Sequence, residues 1–298
     1  MPSNDEIENA LLISLFNHNG TIKEFGTGQQ IVNEIANYFN LSENQTTVVL
    51  ERIYNKENRV VKSPLWHRLL YRAANSLSKK KLVSNPTSTF KLTNKKEWML
   101  TEKGYDAALS LLHIPIQQKD ILPIRSYEVQ KIVNKLIAAP RPTSYNPIDE
   151  KRSPNLVTKE VSIRGRGFRQ AVIEAYNFKC AICGLKINSP NRNIWEVQAA
   201  HIVPYSFKGK DDILNGLSLC HLHHWLFDVG WFTILDDYKI IVSANADNLD
   251  DDFGKIGNYD FIKSLTLSVK KISLPSDEKI YPHVNAIKWH RESIFNKR

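Results

Sequence analysis

Residues 196–230 read EVQAAHIVPYSFKGKDDILNGLSLCHLHHWLFDVG, and the chemically loaded side chains of this stretch fall at fixed offsets from Asn215. Cys220 lies five residues on, His223 eight, His224 nine and Asp228 thirteen, while His201 lies fourteen before. Cys220 and His223 form a C-x2-H pair that matches the C-x2-C of Cys180 and Cys183 upstream, and the four together make a closed set of zinc ligands. This set uses all three cysteines of the chain; the bland alternative is a reduced, buried cysteine cluster. His224 cannot join that site if His223 does, because neighbouring side chains diverge. His224 and Asp228, however, are four apart and share one helical face, which suits a second, divalent cation.

Around this stretch stand further motifs: F-R-x-A-V-x-x-A-Y before the first cysteines, A-A-H-I-V-P, N-G-L-x-L-C, H-H-x-L-F-D-x-G, and W-H-R-E near the C-terminus. Together, over roughly residues 164–295, they resemble the HNH nuclease family and, within it, a branch of restriction enzymes. The resemblance implies a ββα-metal fold, a β-hairpin followed by a helix, with His201, Asn215 and His224 as the motif letters. It implies that His201, at the end of the apolar stretch 197–203, takes a proton from water as general base. Mg²⁺ or Mn²⁺ on His224 and Asp228 would act as the Lewis acid. Asn215 would hold the loop carrying His201 and orient its ring.

One position departs from the family. Many members place Asp or His immediately before the base as a metal ligand, and this chain has Ala200. Gln198, two residues earlier, projects on a strand from the same face and is the candidate replacement, directly or through water. Taken alone, a histidine on an apolar strand reads as a satisfied core residue. A finger-like module that binds nucleic acid without cutting would also carry the zinc ligands. Its cysteine pairs would be closer together, and it would need neither His224 nor Asp228.

The chain of 298 residues has room for two domains, and 42% hydrophobic with 24% charged residues is ordinary globular material. No run approaches about 18 uninterrupted apolar residues, so no membrane partner is expected. The polar start MPSNDEIEN is unlike a signal peptide, and cysteines assigned to zinc leave none for a disulfide; both point to a cytoplasmic protein. The net charge of +9 is concentrated: residues 52–103 hold 13 Lys plus Arg against 3 Asp plus Glu, and the rest of the chain comes to −1. A phosphate-seeking surface is therefore expected in the N-terminal half, although a charge run is ordinarily a solvated helical face.

In chain order, residues 7–16 and 27–39 repeat apolar side chains at helical spacing. Residues 64–81 begin with proline and carry Leu65, Leu69, Ala73 and Leu77 on one stripe, with Arg68, Arg72, Lys79 and Lys80 elsewhere; this is the expected recognition helix. Residues 82–83 and 89–92 look β-prone and would form a basic wing, its phosphate contacts being Lys91, Lys95 and Lys96. The pattern LWxRLLYRAANSLxKKxLV…WMLTEKG also resembles the N-terminal domain of Mrr-type restriction proteins, over roughly residues 5–112. The competing view is a domain that binds protein or dimerises. Residues 126–138 read as a connecting helix, and prolines at 140, 142, 147 and 154 mark an extended linker over 139–159. Arg164, Arg166 and Arg169 precede and open a helix and are expected to contact phosphate near the scissile bond, while Phe168 and Val172 pack inward. Residues 231–235 and 239–242 read as a hairpin. The acidic run from Asp247 to Asp252 lacks the EF-hand pattern and reads as a solvated loop. Residues 282–295 form a last helix in which His290 is structural.

The expectation is an α+β chain: a winged helix-turn-helix domain over 1–115, a connecting helix and Pro-rich linker over 116–160, and an HNH nuclease domain with structural zinc over 161–298. Its partners would be double-stranded DNA, a second copy of the chain and a cognate methyltransferase. The alternatives are a non-catalytic zinc-containing DNA-binding regulator, which Ala200 favours, and a homing or phage-defence nuclease dependent on modified bases.

Overall fold

A computed structural model of the chain describes residues 1–54, 59–120, 122–150, 159–190, 194–248, 250, 253–257, 259–260 and 271–297. They divide into two units, Met1–Lys131 and Ile132–Arg298. No helix among the described residues is long and apolar enough to cross a membrane.

In the first unit, Ser3 and Glu6 form a reciprocal capping box that starts α1 (Asn4–Asn17). Gly20, at φ +88°, then turns the chain where a Cβ would fall 1.9 Å from the Arg125 carbonyl oxygen. After β1 (Thr21–Lys23) come α2 (Gln29–Tyr38) and α3 (Glu43–Thr47). A hairpin absent from the sequence reading follows, β2 (Val49–Tyr54) against β3 (Arg59–Pro64), in the register Val49↔Pro64. It runs directly into α4 (Leu65–Lys79), whose Trp66, Leu70, Ala73 and Leu77 pack into one core with Ile7, Leu11 and Leu15 of α1.

The β-prone reading of residues 89–92 is corrected. Asn85 caps the N-terminus, Pro86 occupies the first turn, and Asn94 closes the end in the left-handed region, so residues 86–93 form a helix, α5 (Pro86–Thr93). Propensity at four residues yields to caps at both ends. Strands β4 (Val83–Ser84) and β5 (Glu97–Leu100) flank this helix, giving an antiparallel sheet of order β1-β5-β4 before α6 (Glu102–Leu111).

The connecting helix appears as α7 (Tyr127–Ala138), across the division between the units. Of the expected linker, residues 151–158 lie outside the described residues. The preceding part is bonded to the second unit rather than running free: Arg141 donates to the Tyr281 carbonyl at 2.7 Å, Asn285 donates to the Tyr145 carbonyl at 2.7 Å, and Lys210 N–H donates to Pro147 O at 2.9 Å.

In the second unit, α8 (Lys159–Ala175) buries Phe168, Ala171 and Val172. Against it lies an antiparallel pair, β6 (Val197–His201) and β7 (Gly216–Cys220), in the register Val197↔Cys220 to His201↔Gly216. At Gly216 this hairpin meets α8 closely: a Cβ there would lie 2.3 Å from Val172 Cγ2 and 3.1 Å from Phe168 Cε2. Helix α9 (His221–Asp228) follows without a break, then the expected hairpin β8 (Phe232–Ile234) with β9 (Ile240–Val242), and finally α10 (Val284–Ser293). His290 of α10 is structural as expected. Its ring stacks on Phe227 at 3.7 Å and bonds both Thr233 Oγ1 and the Phe227 carbonyl, and burial pushes its pKa down to about 4. Of the acidic run, Asp250 is exposed and Asp251 and Asp252 lie outside the described residues.

Candidate active site and metal centre

The β6–β7 hairpin and α9 place the offsets counted from Asn215 around one corner of the second unit. Cys220 is both the last residue of β7 and the cap of α9, so His223, one turn on, returns over it. Its Nδ1 lies 2.9 Å from Cys220 Sγ and 3.7 Å from Cys180 Sγ. The four ligand atoms of Cys180, Cys183, Cys220 and His223 all lie within 4.8 Å of one another. A tetrahedral zinc with bonds of about 2.3 Å to sulfur and about 2.0 Å to nitrogen would separate its ligands by roughly 3.5–3.8 Å, so the quartet fits the ion with small adjustments. Its electrostatics fit as well. Hydrogen bonds from Cys183 and Cys220 hold the Cys180 thiol far below its ordinary value, and the same contact with Cys180 pushes the Cys220 thiol far up, so without a metal the sulfurs share protons. Burial depresses the His223 imidazole, but its contacts with Cys180 and Cys183 prevail and raise it to about 9. The cluster could therefore hold a metal such as zinc, which would take the place of protons shared among these groups.

His201 ends β6. Its ring stacks on Phe168 of α8 at a centroid distance of 4.1 Å and 20° between planes, with Tyr205 edge-on at 6.2 Å. Its Nε2 lies 3.0 Å from Asp211 Oδ1, and Asp211 is buried with its other oxygen 3.2 Å from Arg164 Nε. Facing an ionised carboxylate, Nε2 carries the proton and Nδ1 keeps the lone pair. Asp211 is absent from the sequence reading. The only signal for it was a doublet, Asp211-Asp212, ten residues past His201 inside a loop.

Asn215 is fully buried and holds that loop from within. Its Oδ1 accepts from Val203 N–H at 2.9 Å, and its Nδ2 donates to the carbonyls of Val203 at 3.1 Å and Lys210 at 3.0 Å. The loop-holding half of its expected role matches this geometry, while the ring of His201 is oriented by Asp211 and Phe168. Asn215→Ala would strand the Val203 N–H without its partner, and we expect a loss of about 3 kcal/mol in chemical denaturation. An unfolding midpoint equal to wild type would refute it.

His224 and Asp228 do share a face of α9: Nε2 and Oδ2 are 3.5 Å apart. Burial pushes the His224 imidazole below its ordinary value. Asp228 opposes that shift, and the charges of His201 and His221 add to it, so a neutral ring with a free lone pair is favoured. Gln198 reaches this pair, its Oε1 lying 2.8 Å from His224 Nδ1. Its Nε2 lies 2.8 Å from His221 Nε2, and His221 Nδ1 lies 3.2 Å from Glu196 Oε1. Glu196 and His221 are further residues the sequence reading missed.

The basic residues divide. Arg166 is 5% exposed, so its guanidinium is buried and not displayed to a phosphate; Arg169 is exposed, and Arg164 is drawn to Asp211 behind the base. Arg68 braces the β2–β3 hairpin through Ser63 Oγ at 2.6 Å and the Leu50 carbonyl at 2.7 Å, and Lys80 pairs with the buried Glu8 at 2.5 Å. Arg72 and Lys79 remain on the outer face of α4, where they line a shallow groove with Asn75. Lys91 is exposed on α5 rather than on a wing strand, and Lys95 and Lys96 are exposed in the turn before β5.

Residues 180–235 match the model of the HNH endonuclease family, and the match spans the zinc-type quartet, the hairpin and α9. Among solved structures, one described as a modification dependent TagI restriction endonuclease is similar at 20% identity with a TM-score of 0.33. The aligned part covers 47% of this chain and 44% of that one, less than half of its length. No curated protein matches the sequence.

Proposed function

We propose that the chain is a restriction-type endodeoxyribonuclease that hydrolyses phosphodiester bonds in double-stranded DNA, leaving 5′-phosphate and 3′-hydroxyl ends. The observation that carries this reading is the juxtaposition, within the HNH segment, of His201 on its Asp211 bond with the His224–Asp228 pair. His201 takes the proton of the attacking water at Nδ1, while Asp211 stabilises the imidazolium that forms. Phe168 fixes the plane of the ring, and Asn215 keeps the loop from Val203 to Lys210 in register beneath it. His224 and Asp228 would hold Mg²⁺ or Mn²⁺, which when bound supplies Lewis-acid stabilisation of charge on the phosphate and the leaving oxygen. Zinc on Cys180, Cys183, Cys220 and His223 is the structural metal of this scheme.

The N-terminal unit is the DNA-binding half. Its element order, helix, strand, three helices, then two strands with the β1-β5-β4 sheet, supports a winged helix elaborated by two insertions. These are the β2–β3 hairpin before α4 and the helix α5 in place of a wing loop. Arg72 and Lys79 on α4, with Lys91, Lys95 and Lys96 beyond it, are the candidate phosphate contacts. One HNH site cuts one strand, so double-strand cleavage would use a homodimer on DNA, and a cognate methyltransferase is the companion such an enzyme would have.

The second reading is a DNA-binding regulator that keeps the zinc scaffold without cutting, and Ala200 favours it: this position is wholly buried and offers no ligand. Incubating unmethylated, adenine-methylated and cytosine-methylated plasmids with the protein and Mg²⁺ or Mn²⁺ separates the two. Discrete fragments are expected, and the preparation that yields them identifies any modification requirement. DNA binding without cleavage in all three would replace the nuclease by the regulator.

A further inference from the structure

Five polar side chains form a continuous line across β6 and α9: Glu196, His221, Gln198, His224 and Asp228. Two are carboxylates, one at each end, and the three between them each have two unlike ends. Protons along such a line cannot be placed independently.

Beginning at Glu196, Oε1 accepts from the His221 backbone N–H at 3.1 Å and from His221 Nδ1 at 3.2 Å. His221 Nδ1 therefore carries the proton and Nε2 the lone pair. Only a donor can face that lone pair at 2.8 Å, so the Gln198 amide nitrogen turns toward His221. Its oxygen is then directed at His224 Nδ1, 2.8 Å away, and only an N–H can meet it there. The proton of His224 sits on Nδ1, and its lone pair lies on Nε2, 3.5 Å from Asp228 Oδ2.

Beginning at Asp228 gives the opposite polarity. A proton on His224 Nε2 would turn the amide over and leave a lone pair on His221 Nδ1 against Glu196. With neutral rings the line delivers a ring N–H to one of the two carboxylates and not to the other. Glu196 is engaged twice at 3.1–3.2 Å, whereas the Asp228 end is the longest link of the line. The loosest link is thus the His224–Asp228 gap, where the lone pair of His224 Nε2 faces a carboxylate oxygen at 3.5 Å and a cation could bind both.

We infer that Glu196 and His221 are positioning residues: they fix the orientation of the Gln198 amide and, through it, the His224 tautomer that offers Nε2 to a divalent cation. Gln198 acts on the ion through His224 rather than as its ligand. The consequence for catalysis rests on the cation site proposed above, but the tautomer is a property of the metal-free chain and is measured without DNA.

The test uses ¹⁵N-histidine-labelled full-length protein with zinc retained and no other metal, read by long-range ¹⁵N–¹H correlation at pH 8. Wild type is expected to show His224 protonated on Nδ1. His221→Leu should shift it toward the Nε2–H form and weaken Mn²⁺ binding by about tenfold, the lower end of the range for removing an outer group that orients a metal ligand. Gln198→Glu is the discriminating variant, because a carboxylate has no donor end to orient. In that background His224 should remain Nδ1–H, and adding His221→Leu should change neither the tautomer nor Mn²⁺ affinity by more than about twofold. An equal effect of His221→Leu in both backgrounds would mark His221 as merely structural and overturn the inference, as would a wild-type His224 protonated on Nε2 or on both nitrogens. Failure of the plasmid assay would remove the nuclease reading and leave these tautomers as they are.

Discussion

Replacing His201 with alanine is expected to lower phosphodiester cleavage by about a thousandfold, within the range for removing a positioned general base. The loss should fall on kcat, with DNA affinity and zinc content unchanged, because the ring stacks on Phe168 at the end of a strand and touches none of the zinc ligands. Asp211→Asn should be the milder companion, about thirtyfold, since an amide oxygen can still accept from Nε2–H but brings no charge to stabilise the imidazolium. Single-turnover cleavage at saturating protein measures both. Retention of more than a tenth of wild-type activity in His201→Ala would assign the proton to another group, and the scheme built on Asp211 would go with it.

The second large effect concerns the metal that does no chemistry. Cys220 supplies a buried sulfur to the quartet, and Cys220→Ser removes that ligand alone: its side chain makes no capping hydrogen bond on α9, and its pairing with Val197 is through the backbone. We expect this variant, or chelation of the zinc, to melt the second unit while the first still unfolds in its own transition. The lost stability should be several kcal/mol, a portion of the roughly 10–16 kcal/mol that structural zinc contributes in small domains. Calorimetry with metal analysis decides it: one zinc per chain and two transitions in wild type, with the second transition lost in the variant. Cys183→Ser should cost less, because Cys183 is exposed at the rim of the cluster while Cys180 and Cys220 are buried within it. Equal melting curves for wild type and Cys220→Ser would remove zinc from the account.

Much of this corner was legible in the sequence because its chemistry lies in spacing. Cys180, Cys183, Cys220 and His223 were readable as one cluster since three- and four-residue offsets have only one geometry on a turn and a helix. His224 and Asp228 shared a face for the same reason. Asp211 was not legible: it reaches His201 through a loop whose path is fixed by Asn215, and a loop carries no period. Glu196 and His221 escaped for a related cause, being joined only when β6 and α9 are laid side by side. Arg166 shows the opposite error. It was expected to contact phosphate with Arg164 and Arg169, but helical geometry turns it inward beside Gly167 and Phe168, where it is buried. The helix over residues 86–93 was legible in principle, since Asn85-Pro86 is a start signal and Asn94 a stop. The hairpin from Val49 to Pro64 was as well, from two β-branched runs about a polar turn. In the helix the caps at both ends outweighed the local β propensity that was read.

Gly216 gives the site a sensitivity that no titratable group reveals. A single methyl at this position would intrude on Val172 and on the rim of Phe168, and Phe168 is the floor on which the His201 ring lies flat. Displacing that floor tilts the imidazole away from Asp211 without altering any atom that binds, ligates or transfers a proton. The second motif letter is thus effectively a dipeptide, an amide that ties the loop and an empty place that lets the aromatic support come close. Tolerance to sequence drift in this corner is governed by steric clearance as tightly as by chemistry.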